Sequence, residues 1–546
     1  MSNKNKHPKG LYVLFFTEMW ERFGYYLMLG ILLLYLTDGV KGGMGLDKKE
    51  ASDIVGTYLG LVYLTPFIGG LLADRILGYR RSILIGGLLN SAGYLGLSIP
   101  NMTAFWISVL LIIVGNGFFK PNISTLLGNL YSTKDYKDQK DAGYNIFYMG
   151  INIGAFICNF VAAYMRNEYG WGYAFGAAGV GMLVGILWFL SGTKHIKEAD
   201  IKKPAQEGDL AVSKVLLYVF LPAILAGMLG WFIPGNIFGS DSTDGFIIAC
   251  IPVIIFYISL MMKAQKEERQ RIAALLSIFG VVIVFWAVFK QNASALTTFA
   301  ETYTDRKIPE SVQPIAKPFG MIQTVSTDTA EYPLYDKNFK LVYDDAGNKQ
   351  MTQSPHPYFQ NLPKEKWPTK EEGSKIQLYS TEIFQSINPF FIVLITPLIL
   401  SLFAFLRMRG KEPSTPAKIA YGLLITGFST LVMVGAVYST NLSQDKASAI
   451  WLIGCYAVVT IGELFLSPIG LSLVSKVAPE RLTALMMGGW FLATSIGNKL
   501  SGVLSSMWDN YENKANFFYV NFFACMIAGL AIFAMLKWLR GIISKH

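Results

Sequence analysis

The chain has 546 residues, of which 52% are hydrophobic and only 15% charged, with a net charge of +10 and a mean hydropathy of +0.39. Soluble domains carry about 25% charged residues, so a soluble multidomain enzyme and a disordered chain are both excluded. The four cysteines, Cys158, Cys250, Cys455 and Cys525, sit in apolar runs at wide, irregular spacing. They match neither a disulfide framework nor a metal motif.

Apolar segments long enough to cross a hydrocarbon layer of about 30 Å as helices fall at about 11–37, 50–74, 82–99, 103–130, 142–166 and 172–192. Two more lie at about 213–235 and 243–262, and six follow at about 270–294, 381–406, 416–438, 446–474, 481–508 and 515–539. The first segment holds Glu18, Glu21 and Arg22, unlike the uncharged core of a signal peptide, so no cleavable leader is expected. The linker at 194–214, with Lys194, Lys197, Lys202, Lys203, Pro204 and Gly208, divides the fourteen segments into six, then two, then six.

Placing the N-terminus in the cytoplasm puts 27 of the 47 Lys and Arg on cytoplasmic edges and 6 in the short loops opposite. That bias predicts both termini inside, and it removes the +10 as a nucleic-acid footprint. Residues 295–380 are different in character: polar, near neutral, and holding 8 of the 22 prolines. They read as an insert on the non-cytoplasmic face, more a small domain than a loose loop. Within it, Phe339–Tyr343 predicts a strand and Asp344–Asn348 a turn.

Seven charged residues fall inside the spans: Glu18, Glu21, Arg22, Lys120, Lys290, Glu463 and Lys499. Each costs roughly 2.5–3.5 kcal/mol at a helix centre, so each demands a partner or a wet cavity. Glu18, Arg22, Tyr25 and Tyr26 share a helix face, with Glu21 beside it. Two carboxylates around one guanidinium make a site that can exchange a proton for a pairing, and Arg22 offers a planar fork to a substrate carboxylate. Lys120 precedes Pro121, where the interrupted ladder lets a cation face a cavity. Glu463, in the opposite half, is its expected counter-charge. His7, His195, His356 and His546 all lie outside the spans, so carboxylates must carry any coupled proton. Asp74, Arg75, Arg80 and Arg81 follow the second segment and read as a cytoplasmic latch between helices.

Three motifs then carry a resemblance: Glu18-x-x-Glu21-Arg22-Phe23 with Tyr25-Tyr26, the Gly69–Gly87 stretch with Asp74 and Gly78, and Tyr144–Phe156 with Tyr148, Asn152 and Gly154. With Phe285-Trp286-Ala287, Phe384–Pro389 and Gly462-Glu463, the chain resembles the proton-coupled oligopeptide transporters of the major facilitator superfamily, outside 295–380. The resemblance implies an all-α membrane protein: a six-helix bundle at 1–193, a linker and two additional helices at 194–269, and a second bundle at 270–546. It implies Glu18, Glu21, Arg22 and Glu463 for proton coupling, and Arg22, Tyr25, Tyr26, Tyr63, Lys120, Tyr148, Asn152, Trp286, Asn388, Glu463 and Trp490 for the peptide pocket.

The function implied is proton-driven import of di- and tripeptides across a bacterial inner membrane by a monomeric unit, with no enzyme activity, metal, cofactor or nucleic-acid partner. The same fold moving nitrate or another small anion or zwitterion, and a non-transporting peptide sensor, are the alternatives. Two positions depart from the family. Leu29 replaces a first-helix base and Lys290 replaces its acidic partner, which removes a familiar outer-gate salt bridge. Gly56 stands where animal members have a second-helix histidine.

Overall fold

The computed structural model describes residues 7–39, 42–132, 136, 139–201, 214, 216–368, 374–479 and 482–543. Most of the charged linker lies outside them. The helices of the first half are α1 Lys9–Thr37, α2 Lys48–Leu72, α3 Tyr79–Gly96, α4 Met102–Leu130, α5 Lys140–Tyr169 and α6 Trp171–Ser191. Next come α7 Leu221–Trp231, preceded by a π turn at Leu216–Phe220, and α8 Asp241–Lys263. The second half has α9 Lys266–Phe289, a short α10 Ala295–Tyr303, α11 Ile387–Met408, α12 Thr415–Ser439, α13 Ala449–Val477, α14 Thr483–Ser506 and α15 Lys514–Ile543. Each of the fourteen apolar segments is thus helical where described, and ten helical stretches are long and apolar enough to cross a membrane by themselves.

Local signals start these helices where polar residues precede apolar runs. Asp47 accepts from Lys49 N at 2.8 Å, Asn101 from Thr103 N and Ala104 N, and Ser240 from Thr243 N. Each such cap stabilises its helix by about 1 kcal/mol. Gly78 and Gly170 take φ of +84° and +100° in the tight turns before α3 and α6, where a Cβ would be strained. Small residues then set helix spacing: a Cβ at Gly154 would strike the Met19 carbonyl, so glycine there lets α5 close on α1.

The halves meet at the end of the bundle that carries the insert. α2 lies against α14, where a Cβ at Gly56 would come 2.6 Å from Gly502 Cα. Ser495 Oγ donates to Gly60 O at 2.6 Å. α5 meets the start of α11 through Asn159 Nδ2 to Ser386 Oγ at 3.0 Å and an Arg166–Glu382 ion pair at 3.2 Å. Lys499 finds its counter-charge here: Nζ reaches Asp53 Oδ1 at 2.6 Å, Thr57 Oγ1 at 2.7 Å and Ser242 Oγ at 2.9 Å. Asp53 belongs to the first turns of α2, where it reads as ordinary flanking charge. Through Ser242, the additional helix α8 joins the same lock.

The described part of the insert is folded, with two corrections to its expected outline. Residues 295–303, the start of the expected insert, form α10 and bury Phe299, Ala300 and Tyr303 in one cluster with Met433 of α12 and Trp508; the Thr297 hydroxyl pairs with Asn292 O. The strand expected at Phe339–Tyr343 is reduced to isolated bridges, Tyr335 with Leu341 and Tyr343 with Lys349, because Phe339 adopts φ +60° and docks inward. The Asp344 turn does form, with Asn348 N donating to Asp344 Oδ1 at 2.7 Å.

Beyond the short parallel pair of β1 (Thr304–Asp305) with β6 (Ala447–Ser448), antiparallel pairs β2 (Ile322–Ser326) with β5 (Lys375–Tyr379) and β3 (Ala330–Pro333) with β4 (Met351–Ser354) build the rest. They enclose a small core of Val325, Tyr358, Phe359, Leu362, Ile376 and Leu378. The insert touches both halves: Lys48 Nζ donates to Phe339 O at 2.9 Å, and Asn167 Nδ2 to Ile322 O at 2.9 Å. Lys446 Nζ bonds Thr302 O and Asn361 Oδ1, both at 2.7 Å.

Two outcomes follow from these contacts. Asp53→Asn leaves the buried Lys499 ammonium without a counter-charge and should cost about 3–5 kcal/mol. It should lower the thermal midpoint of the purified protein by several degrees, and adding Lys499→Met should restore most of the loss. Burial, and then neighbouring Arg306, pull the Lys446 ammonium down to about 7. A base held below its unfolded value costs stability in full below the folded pKa, and that cost fades as pH rises toward the ordinary lysine value. Hydrogen-exchange protection of β2 and β5, corrected for intrinsic rates, should therefore rise between about pH 7 and pH 9; flat protection would contradict it.

Candidate functional site

The charges of α1 are fully inside the molecule, with Glu18, Glu21 and Arg22 at 3%, 0% and 3% exposure. Arg22 Nε is paired with both carboxylates, at 3.2 Å to Glu18 Oε1 and in direct contact with Glu21 Oε2. One face of the guanidinium lies 5.1 Å from the Tyr25 ring centroid. Asn116 of α4 adds a donor to Glu21 Oε1 at 3.4 Å. Glu18 Oε2 and Arg22 Nη2 have no hydrogen-bond partner among the described residues. The cluster is therefore joined through Arg22 Nε, with one carboxylate oxygen and one guanidinium nitrogen buried and left unpartnered among the described residues.

Both halves send side chains toward this cluster. Tyr26 lies within electrostatic range of Arg22, Tyr63, Tyr148 and Glu463, contributed by α1, α2, α5 and α13. Tyr148 is largely exposed, and Tyr26, Tyr63, Lys120, Trp286, Asn388 and Glu463 are partly so. Partial exposure of such groups within helices of membrane length marks a polar cleft between the bundles. Asn152 Nδ2 donates to Tyr148 O at 2.9 Å, which leaves its carbonyl oxygen as an available acceptor. Trp286 Nε1 is buried without a partner among the described residues.

Glu463 and Lys120 do not pair as expected from sequence. Asn388 Nδ2 donates to Glu463 Oε2 at 3.0 Å and to Thr460 Oγ1 at 2.9 Å, which holds the carboxylate in the second half. Lys120 Nζ instead sits over the Tyr63 ring, 3.8 Å from its centroid. An aromatic face offers a desolvated cation an attraction of up to about 2 kcal/mol, so Lys120 is held on its own side of the cleft. The cleft thus presents an anion on one wall and a cation on the other, unneutralised by each other.

Other expected positions lie elsewhere. Tyr25 is buried against Tyr26 and Tyr58 in the first half, and Trp490 packs on Phe279 and Gly470 in the core of the second. Asp74 and Arg75 are on the turn at the opposite end of α2, and Arg80 and Arg81 are in the first turn of α3. There Asp74 accepts from the Tyr79 hydroxyl at 2.6 Å, and the turn is anchored by Asp200, which accepts from Tyr79 N at 2.9 Å. Asp200 also accepts from Arg80 N at 3.3 Å. Asn116, Thr460 and Asp53 were not singled out from sequence; the one available signal was a polar side chain within or bordering an apolar run.

Two helical bundles with a charged cleft between them are the arrangement of a multi-pass membrane transporter. The family model described as the POT family matches residues 80–327 and 375–520, and the chain belongs to that family. It is 32% identical over 534 residues to an uncharacterized transporter, YclF, of Bacillus subtilis strain 168, covering 96% of this chain and 93% of that one. It is 30% identical to a di-/tripeptide transporter of Lactococcus lactis strain IL1403, covering 98% of each. Among solved structures it resembles a peptide transporter POT in complex with sulfate, at 31% identity and a TM-score of 0.75, covering 98% of this chain and 96% of that one.

The Asn388–Glu463 bond predicts a measurable loss. A hydrogen bond to a charged group is worth about 1.5–3 kcal/mol, so Asn388→Ala should weaken binding of an amine-bearing substrate by roughly tenfold or more, read by titration of the purified protein.

Proposed function

We propose that this protein imports di- and tripeptides together with protons by alternating access, as a monomeric unit in a bacterial inner membrane with both termini in the cytoplasm. The observation that carries the reading is the cleft itself: Lys120 on one wall and Glu463 on the other, beside two carboxylates that share Arg22. A peptide zwitterion needs a cation for its carboxylate and an anion for its amine. Tyr26, Tyr63, Tyr148 and Trp286 add apolar walls with polar tips that tolerate varied side chains. The name of the Lactococcus relative supports the same substrate class.

In this scheme the proton gradient is the driving force, and no cofactor enters. Protonation of a carboxylate in the Glu18–Glu21 cluster loosens its hold on Arg22 and frees the guanidinium toward the cleft. The carboxylate of an incoming peptide then meets Arg22 and Lys120, while its amine meets Glu463 and the oxygen of Asn152. The peptide bridges the walls and draws the two six-helix units at 1–193 and 270–546 together around it. The Asp53–Lys499 and Arg166–Glu382 pairs lie on the outer side in this orientation, so they part when the cleft opens outward. They re-form when it opens inward and releases peptide and proton.

Uptake of labelled dialanine by proteoliposomes under an inward proton gradient tests the reading. Accumulation is expected, reduced by unlabelled dipeptide and untouched by nitrate; competition by nitrate alone would mark an anion transporter, and binding without uptake a sensor. Glu21→Gln should abolish gradient-driven accumulation while leaving counterflow exchange, and surviving accumulation would remove Glu21 from proton coupling.

A further inference from the structure

Lys290 stands apart from the other buried charges. It opens the short 3-10 turn Lys290–Ala293 that ends α9 and is only 5% exposed. Among the described residues it makes no ion pair. Its ammonium is ringed by aromatic faces instead, 5.6 Å from the centroids of Tyr63 and Trp286 and 5.5 Å from that of Phe289. Lys120, from the first half, rests on the same Tyr63 ring. Two cations from opposite halves thus flank one phenol. Their nitrogens are no more than roughly 9 Å apart, about one Debye length of physiological saline.

Of the carboxylates in electrostatic range, two are already engaged, and Glu18, which pairs with Arg22 through Oε1, keeps Oε2 without a partner among the described residues. Glu463, which faces Lys290, accepts from Asn388, and Glu21, which faces Lys120, is bonded to Arg22. Two like charges converging in a desolvated space repel unless an anion comes between them. The charge balance of the cleft points the same way. With Glu18, Glu21 and Glu463 ionised, three carboxylates meet the three cations Arg22, Lys120 and Lys290. Loading one proton onto the Glu18–Glu21 cluster leaves an excess of one positive charge. A neutral zwitterionic peptide cannot cancel it; a peptide with one acidic side chain can.

We propose that Lys290 forms a second anion subsite beside Lys120, and that the protein selects di- and tripeptides bearing an aspartate or glutamate side chain. The proposal rests on the peptide-transport reading and names its substrate class. Lys120 then holds the main-chain carboxylate, Lys290 the side-chain carboxylate, and Tyr63 spaces the two.

The test is competition against labelled dialanine uptake by the full-length protein in proteoliposomes near neutral pH, comparing Ala-Glu with Ala-Gln, which match in shape and differ in charge. Ala-Glu should inhibit at roughly tenfold lower concentration than Ala-Gln. Lys290→Gln should bring the two within about threefold, and Lys290→Arg should keep them apart. Equal inhibition by Ala-Glu and Ala-Gln in the wild type overturns the subsite while leaving peptide transport intact, and needs no variant to fold. An unchanged ratio in Lys290→Gln overturns the role of Lys290. Absence of any dipeptide uptake overturns the peptide reading and this proposal with it.

Discussion

A charge held in hydrocarbon has to be compensated, and the architecture of this protein is arranged around that requirement. Seven charged side chains lie within the apolar spans read from the sequence, away from their edges, each carrying an insertion cost of roughly 2.5–3.5 kcal/mol. They are compensated in three distinct ways. Lys499 is paired outright with Asp53 across the two halves. Glu18, Glu21 and Arg22 satisfy one another along a single helix. Lys120, Lys290 and Glu463 have only aromatic faces or an amide. The first is a structural lock, the second an exchangeable cluster, and the third a set of incompletely compensated groups that a charged ligand would complete.

These three modes divide the molecule by depth. At the insert-bearing end, ion pairs, glycine contacts and the α5–α11 hydrogen bonds bring the bundles together. Toward the middle, paired groups give way to exposed tyrosines and cations without ion pairs. The insert reinforces the closed end, since its anchors reach α2, α5 and the loop before α13. The contrast is between short polar contacts at one end and incompletely paired charges in the cleft. The additional helix α8 participates through Ser242, so it is part of the lock as well as packing at the periphery.

Much of this was legible before any coordinates. Fourteen helices follow from apolar run length alone, because a bilayer imposes one requirement on every span. The α1 cluster was legible because residues 18, 21 and 22 are neighbours on one helix. Failures occurred wherever the partner lay far along the chain. Lys120 and Glu463 have the right signs and depths, yet Tyr63 and Asn388 are the groups they meet. Tyr25 and Trp490 carry the same side-chain chemistry as Tyr26 and Trp286, and only packing sends one pair into the cores and the other to the cleft. Residues 295–303 look like part of the polar insert because they follow the end of the apolar run, and they are helix with Leu296, Phe299, Ala300 and Tyr303 buried in a shared core.

The sequence by itself determined that this chain is a membrane-spanning helical protein, which side its basic loops favour, and which residues carry uncompensated charge. Those properties are local: they depend on hydropathy and on spacing within one helix. Only the tertiary structure decided which charges cancel and which are left for a ligand. Pairing requires two groups within about 4 Å, and the pairs that matter, such as Asp53 with Lys499 and Tyr63 with Lys120, are brought together by helix packing that glycine contacts set. The low charged fraction marks a membrane protein, and the placement of the remaining charges makes a transporter of it.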